Sequence, residues 1–162
     1  LIALAEVGWT AKERRHLDDF ALRNKTHLKR LKAYGLSFPS DWATGGKGIS
    51  LGAWTPETLT ADTVTLEWDA SSAIKDAGPY EILMLYQKGE HGVAINWVAL
   101  RENGTEIARD THRGWSGFGK ENIVYALPLG KRDPQAVYTI AAKIDCHQGR
   151  DSTGDVLIRK GE

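Results

Sequence analysis

The pattern of apolar residues changes at about residue 48, and this change constrains the fold more than any other feature of the chain. Beyond it, apolar and polar residues alternate in short runs that turn-forming residues separate. Alternation puts every second side chain on one face of an extended strand, which is typical of half-buried β-strands. We therefore predict eight strands, at about 49–54, 63–69, 80–88, 93–101, 105–111, 121–129, 136–145 and 155–160.

Two predicted strands carry a well-marked apolar face. The alternation assigns one face of the third strand to Tyr80, Ile82, Met84 and Tyr86, and one face of the fourth to Val93, Ile95, Trp97 and Ala99. Asn103-Gly104 predicts a two-residue hairpin turn, because these residues adopt the positive φ angles that such a turn needs. Residues 71–78 predict a single capped helical turn. Short strands without intervening helices indicate a mainly β fold, an antiparallel β-sandwich.

The residues before the change have a helical period. The first nine are apolar nearly all round, which is typical of an element buried inside a larger protein, so we expect this chain to be part of one. A capping box at Thr10 and Glu13 begins a second helix that runs to about Tyr34. The following residues are rich in Pro and Gly and predict a linker. The resulting division is 1–36 for the helices, 37–48 for the linker and 49–162 for the sandwich.

Composition argues against several classes of partner. The 21 Lys and Arg balance the 21 Asp and Glu, so no net positive field favours nucleic acid. No apolar run reaches the roughly 20 residues of a membrane span. The single cysteine, Cys146, rules out an internal disulfide. The five histidines lack zinc-ligand spacing.

The beginning of the chain resembles a known enzyme family. Ala5-Glu6-Val7-Gly8-Trp9-Thr10, followed by Lys12-Glu13-Arg14 and His27-Leu28-Lys29-Arg30-Leu31, resembles the end of the catalytic barrel in family 20 glycoside hydrolases, the β-N-acetylhexosaminidases. Residues 49–162 resemble the jelly-roll, galactose-binding-like accessory domains that follow such barrels in bacteria. That second resemblance lies in Trp68-Asp69, Gly78-Pro79-Tyr80 and the turn at 149–155.

The resemblance implies two helices left from a (β/α)8 barrel and an accessory β-sandwich. It implies a parent hydrolase that removes terminal N-acetylhexosamine residues from glycans in carbohydrate metabolism, exported to the periplasm, the cell surface or the medium. The family's reaction uses the substrate's acetamido group and an adjacent Asp-Glu pair of the barrel. This chain contains no Asp-Glu dipeptide. We therefore expect no catalytic residue and no cofactor here, with the barrel of the same protein as partner and a homodimer through the helices as a further expectation.

One glycine-rich stretch combines aromatic and polar residues in the way that sugar sites do. Sugar sites place an aromatic face against the CH groups of the ring and polar side chains against its hydroxyls. The candidate residues are Trp115, Phe118, Asp110, His112 and Arg113. Three glycines argue against a strand there, and the alternative is that both aromatics plug one end of the sandwich. The accessory domain is accordingly a buttress for the barrel, a carbohydrate-binding module, or a structural or dimerising module.

Two further groups of residues have competing interpretations. Asp151 and Asp155, with Ser152 between them, could offer oxygen ligands to calcium, although a polar turn explains the same residues. Trp54, Trp68 and Trp97 lie in strand-like runs, and we expect them to pack in the core or between domains.

Overall fold

The computed structural model describes residues 48–161. All of them belong to one compact unit, Lys47–Glu162. The predicted helices and nearly all of the predicted linker lie outside the described residues, so the division of the chain at residues 36 and 48 stays a prediction.

The described residues form ten strands and no helix. The strands are β1 Ile49–Trp54, β2 Thr63–Asp69, β3 Gly78–Lys88, β4 Val93–Glu102, β5 Thr105–Asp110, β6 Gly114–Ser116, β7 Lys120–Glu121, β8 Val124–Leu129, β9 Tyr138–Asp145 and β10 Thr153–Lys160. Eight of them correspond to the predicted runs. The short hairpin of β6 and β7 lies where the glycines argued against a strand, and that prediction is wrong. A Cβ at Gly114 would overlap with the Tyr125 hydroxyl and the Asn122 carbonyl, so glycine here permits a close approach of backbones.

The strands form two antiparallel sheets that pack as a sandwich, which confirms the predicted class of fold. The four-stranded sheet has the order β1-β10-β3-β8, and the six-stranded sheet has the order β2-β9-β4-β6-β7 with β5 also paired to β4. One edge of β4 is therefore shared between two strands. Ile95 lies opposite Gly114 of β6, and Val98 lies opposite Asp110 of β5.

The core between the sheets contains two of the tryptophans, as expected. Trp54 is fully buried, and its indole nitrogen donates to the buried Ser152 Oγ at 3.1 Å. Trp68 is 8% exposed, and its indole donates to the carbonyl of Ala53 at 3.2 Å. Each indole N–H is thus satisfied inside the protein, which buried polar groups require.

The core face of β4 differs from the predicted one. Its buried core residues are Val93, Ile95, Val98 and Leu100. The register shifts between Ile95 and Trp97, which pair with Ile144 and Lys143 of β9, so Asn96 is an extra residue. One extra residue reverses the alternation beyond it. Trp97 and Ala99 therefore face away from the core, and the prediction that they share a face with Ile95 is wrong.

Two predicted turns are present. Asn103 and Gly104 have φ angles of 51° and 81°, and Glu102 pairs with Thr105 across them, which confirms the hairpin. The turn predicted at 71–78 is a single hydrogen-bonded turn that begins at Ala70, whose carbonyl accepts from the Ile74 amide at 3.0 Å.

We expect Gly154→Ala to destabilise the fold, because a Cβ at Gly154 would overlap with the buried ring of Trp54. Overpacking of this kind typically costs about 1–3 kcal/mol. The matched control is Gly130→Ala, since no atom lies within 4 Å of a Cβ placed there. Urea denaturation of both full-length variants measures the effect, and equal midpoints would contradict the packing of Trp54 against β10.

Candidate functional site

A pocket of about 400 Å³ opens on the outer face of the six-stranded sheet, beside the first half of β4. Its lining comes from β4, from the β6–β7 hairpin with the residues on either side of it, and from the segment after β9. The lining residues are Ala94, Arg113, Gly114, Trp115, Glu121, Asn122, His147 and Gln148.

Strand register positions the floor and one wall of this pocket. Ala94 lies opposite Trp115, and Trp115 lies opposite Glu121, so three neighbouring strands contribute to one row. On its other side Ala94 lies opposite Asp145. Because opposed residues of a pair point to the same face, a small side chain stands between larger ones and forms the floor.

Ser116 of β6 hydrogen-bonds to the four-stranded sheet and so points inward. Because side chains alternate along a strand, its neighbour Trp115 points outward. The buried Ser116 Oγ donates to the Met84 carbonyl and accepts from the Tyr86 amide, both at 2.8 Å. The indole of Trp115 then packs over two glycines. A Cβ would lie 2.7 Å from the ring at Gly92 and 2.9 Å from it at Gly117. Trp115 is half-buried and lines the pocket, not the space between the sheets.

The carboxylate of Asp145 interacts with two side chains that line the pocket, His147 and Arg113. Asp145 accepts from His147 Nδ1 at 2.6 Å and lies 3.8 Å from Arg113 Nη2. The hydrogen bond from His147 lowers the pKa of Asp145, so this carboxylate is charged at neutral pH. It orients the His147 ring, and its charge attracts the Arg113 guanidinium, which is 66% exposed.

Several polar groups in the pocket lack a partner within the described residues. These are the indole N–H of Trp115 and the side chains of Glu121, Asn122 and Gln148. Acidic side chains elsewhere on the six-stranded sheet are paired, as Glu106 is with Arg109. The pocket therefore concentrates hydrogen-bonding capacity beside an aromatic ring.

The five predicted sugar residues lie in three different places. Arg113 and Trp115 line the pocket. Phe118 lies at the tip of the β6–β7 hairpin, is 82% exposed, and contacts Tyr86 with ring centroids 5.4 Å apart. The structure places neither Trp115 nor Phe118 as a plug between the sheets.

Asp110 and His112 do not line the pocket, but they position Asn122, which does. Asp110 accepts from the Ala126 amide at 2.9 Å and from His112 Nδ1 at 2.7 Å. The His112 ring stacks on Tyr125 with centroids 4.3 Å apart, and its Nε2 lies 2.8 Å from the Asn122 carbonyl. These contacts fasten the end of β5 to β8 and hold Asn122, which adopts a positive φ of 51°.

The two residues proposed for calcium have separate partners. Asp151 accepts from the Glu90 amide at 2.5 Å and contacts His91 Nδ1 at 2.8 Å. Asp155 accepts from Gln87 Nε2 at 2.8 Å. Within residues 48–161, no three His, Cys, Asp or Glu side chains are grouped so that they could hold a metal ion.

Sequence reasoning missed Glu121, Asn122, His147 and Gln148. No sequence motif links them to Trp115, because they come from other segments that only the strand pairing brings together.

The sequence matches no protein-family model and no curated protein. In the part of the chain that the structure describes, no helix has the length and apolar character needed to cross a membrane.

We expect Asp110→Asn to destabilise the protein at neutral pH and to make its free energy of unfolding less sensitive to a fall in pH. Burial raises the pKa of Asp110, but the hydrogen bonds from Ala126 and His112 outweigh it, so the net pKa is lowered. A lowered folded-state pKa adds stability above the unfolded value of about 3.9, and this stability is lost as pH falls through the folded-state pKa.

Urea denaturation at pH 7 and pH 3 measures this effect. We expect a loss of about 1–3 kcal/mol at pH 7 and a smaller difference from the unmodified protein at pH 3. Asp76→Asn is the control, because Asp76 is exposed and forms only a surface pair with Lys160, which contributes little. An Asp110→Asn difference that stays constant between the two pH values would contradict this role.

Proposed function

We propose that the sandwich is an accessory carbohydrate-binding module, and that it binds a sugar unit in the pocket beside Trp115. The observation that supports this most is the half-buried indole of Trp115 in an open pocket, among polar side chains that have no partner within residues 48–161. Trp54 and Trp68, in contrast, are enclosed in the core. Aromatic surface with a few converging polar groups is the usual composition of a sugar site.

Six of the eight lining residues have a role in this proposal. The Trp115 ring contacts the CH face of the sugar, and Ala94 leaves room for the ring beside it. Asn122 and Gln148 can donate to and accept from hydroxyl groups, Glu121 can accept, and Arg113 can donate. The pocket volume of about 400 Å³ is within the range of small-molecule sites.

The resemblance of residues 1–36 supports the remaining part of the proposal. The parent protein is a bacterial, exported β-N-acetylhexosaminidase, and the sandwich is its jelly-roll, galactose-binding-like accessory domain. The barrel then hydrolyses terminal N-acetylhexosamine residues, because the Asp-Glu pair that the family uses for this reaction is part of the barrel. The module keeps the barrel near its glycan.

We expect Trp115→Ala to abolish sugar binding with only a small change in stability. Stacking on one ring is weak, so an affinity near millimolar, roughly −4 kcal/mol, is the expected value for the unmodified protein. A glycan array with the full chain identifies ligands, and titration calorimetry measures their affinity.

Phe118→Ala is the matched control, because Phe118 is an exposed aromatic of the same hairpin that does not line the pocket. Equal loss of binding in both variants would contradict the assignment of the pocket. If no glycan binds and Trp115→Ala lowers stability by several kcal/mol, the sandwich is a structural module instead.

A further inference from the structure

The outer face of the six-stranded sheet carries a second tryptophan, Trp97, on the strand that also supplies Ala94 to the pocket. We infer that the site binds an oligosaccharide of at least two sugar units, with one unit at Trp115 and the next at Trp97. The inference rests on the proposed function and specifies the class of ligand.

The bulge in β4 is the first observation. The extra residue Asn96 places Trp97 on the outer face, where Ala94 also lies. Regular alternation from Ile95 would instead point Trp97 between the sheets. Bulges commonly re-aim a side chain and are frequent beside functional sites. Here the re-aimed side chain is a tryptophan, and it reaches the face that carries the pocket.

The positions of the two tryptophans are the second observation. Trp115 lies opposite Ala94, and Trp97 is the next residue after Ala94 that the pairing of β4 with β9 places on the outer face. Three residues of extended chain span at most about 10 Å, so the two indoles belong to adjacent rows of one surface. Arg113 precedes Gly114, the residue opposite Ile95, so it enters the pocket from the side nearer to Trp97.

Trp97, like Trp115, has cationic side chains close to its ring. The Arg109 guanidinium lies 4.1 Å from the centroid of the Trp97 ring, and its Nε and Nη2 atoms donate to Glu106. This pairing fixes the guanidinium over one face of the ring and leaves Nη1 without a partner among the described residues. Lys143, opposite Trp97 on β9, likewise has no ion-pair partner there.

Each tryptophan thus combines a half-buried ring with a nearby cationic side chain, Arg113 in one case and Arg109 with Lys143 in the other. Two similar sites in adjacent rows suit a ligand whose own units repeat. A chain of sugars has this property, and a single terminal sugar would use only the first site. Arg109 also limits access to one face of Trp97, so the second sugar contacts the exposed part of the indole and the guanidinium edge.

Titration calorimetry of the full chain tests the inference, with N-acetylglucosamine and its β1,4-linked dimer and trimer as probes. We expect the affinity to rise about tenfold from the monosaccharide to the trimer, which is what one additional aromatic contact contributes. Trp97→Ala should remove this gain and leave the affinity for the monosaccharide unchanged. Phe118→Ala should leave all three affinities unchanged.

Lys143→Gln is a second variant, which keeps the test decisive if Trp97→Ala folds poorly. Lys143 is on the sheet surface, and we expect its replacement to lower the affinity for the trimer and not for the monosaccharide. Equal affinity for monosaccharide and trimer in the unmodified protein would overturn the inference and leave the proposed function intact. If the unmodified protein binds none of the three probes, both the inference and the proposed function fail.

Discussion

The extra residue in β4 keeps Trp97 out of the core of the sandwich. β4 pairs with β9 along one edge and with both β5 and β6 along the other. Its register therefore determines which residues of these three strands lie opposite it. The bulge at Asn96 keeps Val98 in the core in place of Trp97. Without the bulge, regular alternation would place the ring of Trp97 between the sheets, where close packing leaves no room for added volume.

The position of the pocket depends on β6, which pairs with β4. Gly114 approaches the Tyr125 hydroxyl so closely that no side chain fits there, and the buried Ser116 hydrogen-bonds to the backbone of β3. With its two neighbours fixed in this way, Trp115 has only the outer face available. Core packing and the candidate binding surface therefore depend on one set of register constraints, although the two serve different purposes.

Strand existence and one hairpin could be predicted from the sequence, because a period of two and an Asn-Gly turn are local signals. The bulge could not be predicted. Both faces of β4 are apolar, so the run from Val93 to Leu100 fits either register equally well. The β6–β7 hairpin is too short and too rich in glycine to show alternation. Of the predicted site residues, Trp115 and Arg113 line the pocket, whereas Asp110 is used to bind the Ala126 amide; local sequence cannot distinguish these uses. The parent enzyme and the helices before residue 48 stay predictions.

The central claim is that Trp115 and Trp97 form a ligand surface while Trp54 and Trp68 form the core. Six tryptophans give up to six indole N–H signals in a two-dimensional ¹H–¹⁵N spectrum, which Trp→Phe variants can assign. On titration with the N-acetylglucosamine trimer, the account predicts that the signals of Trp115 and Trp97 shift with one binding curve and that those of Trp54 and Trp68 stay in place. Shifts confined to other tryptophans, or an unchanged spectrum at saturating trimer, would contradict it.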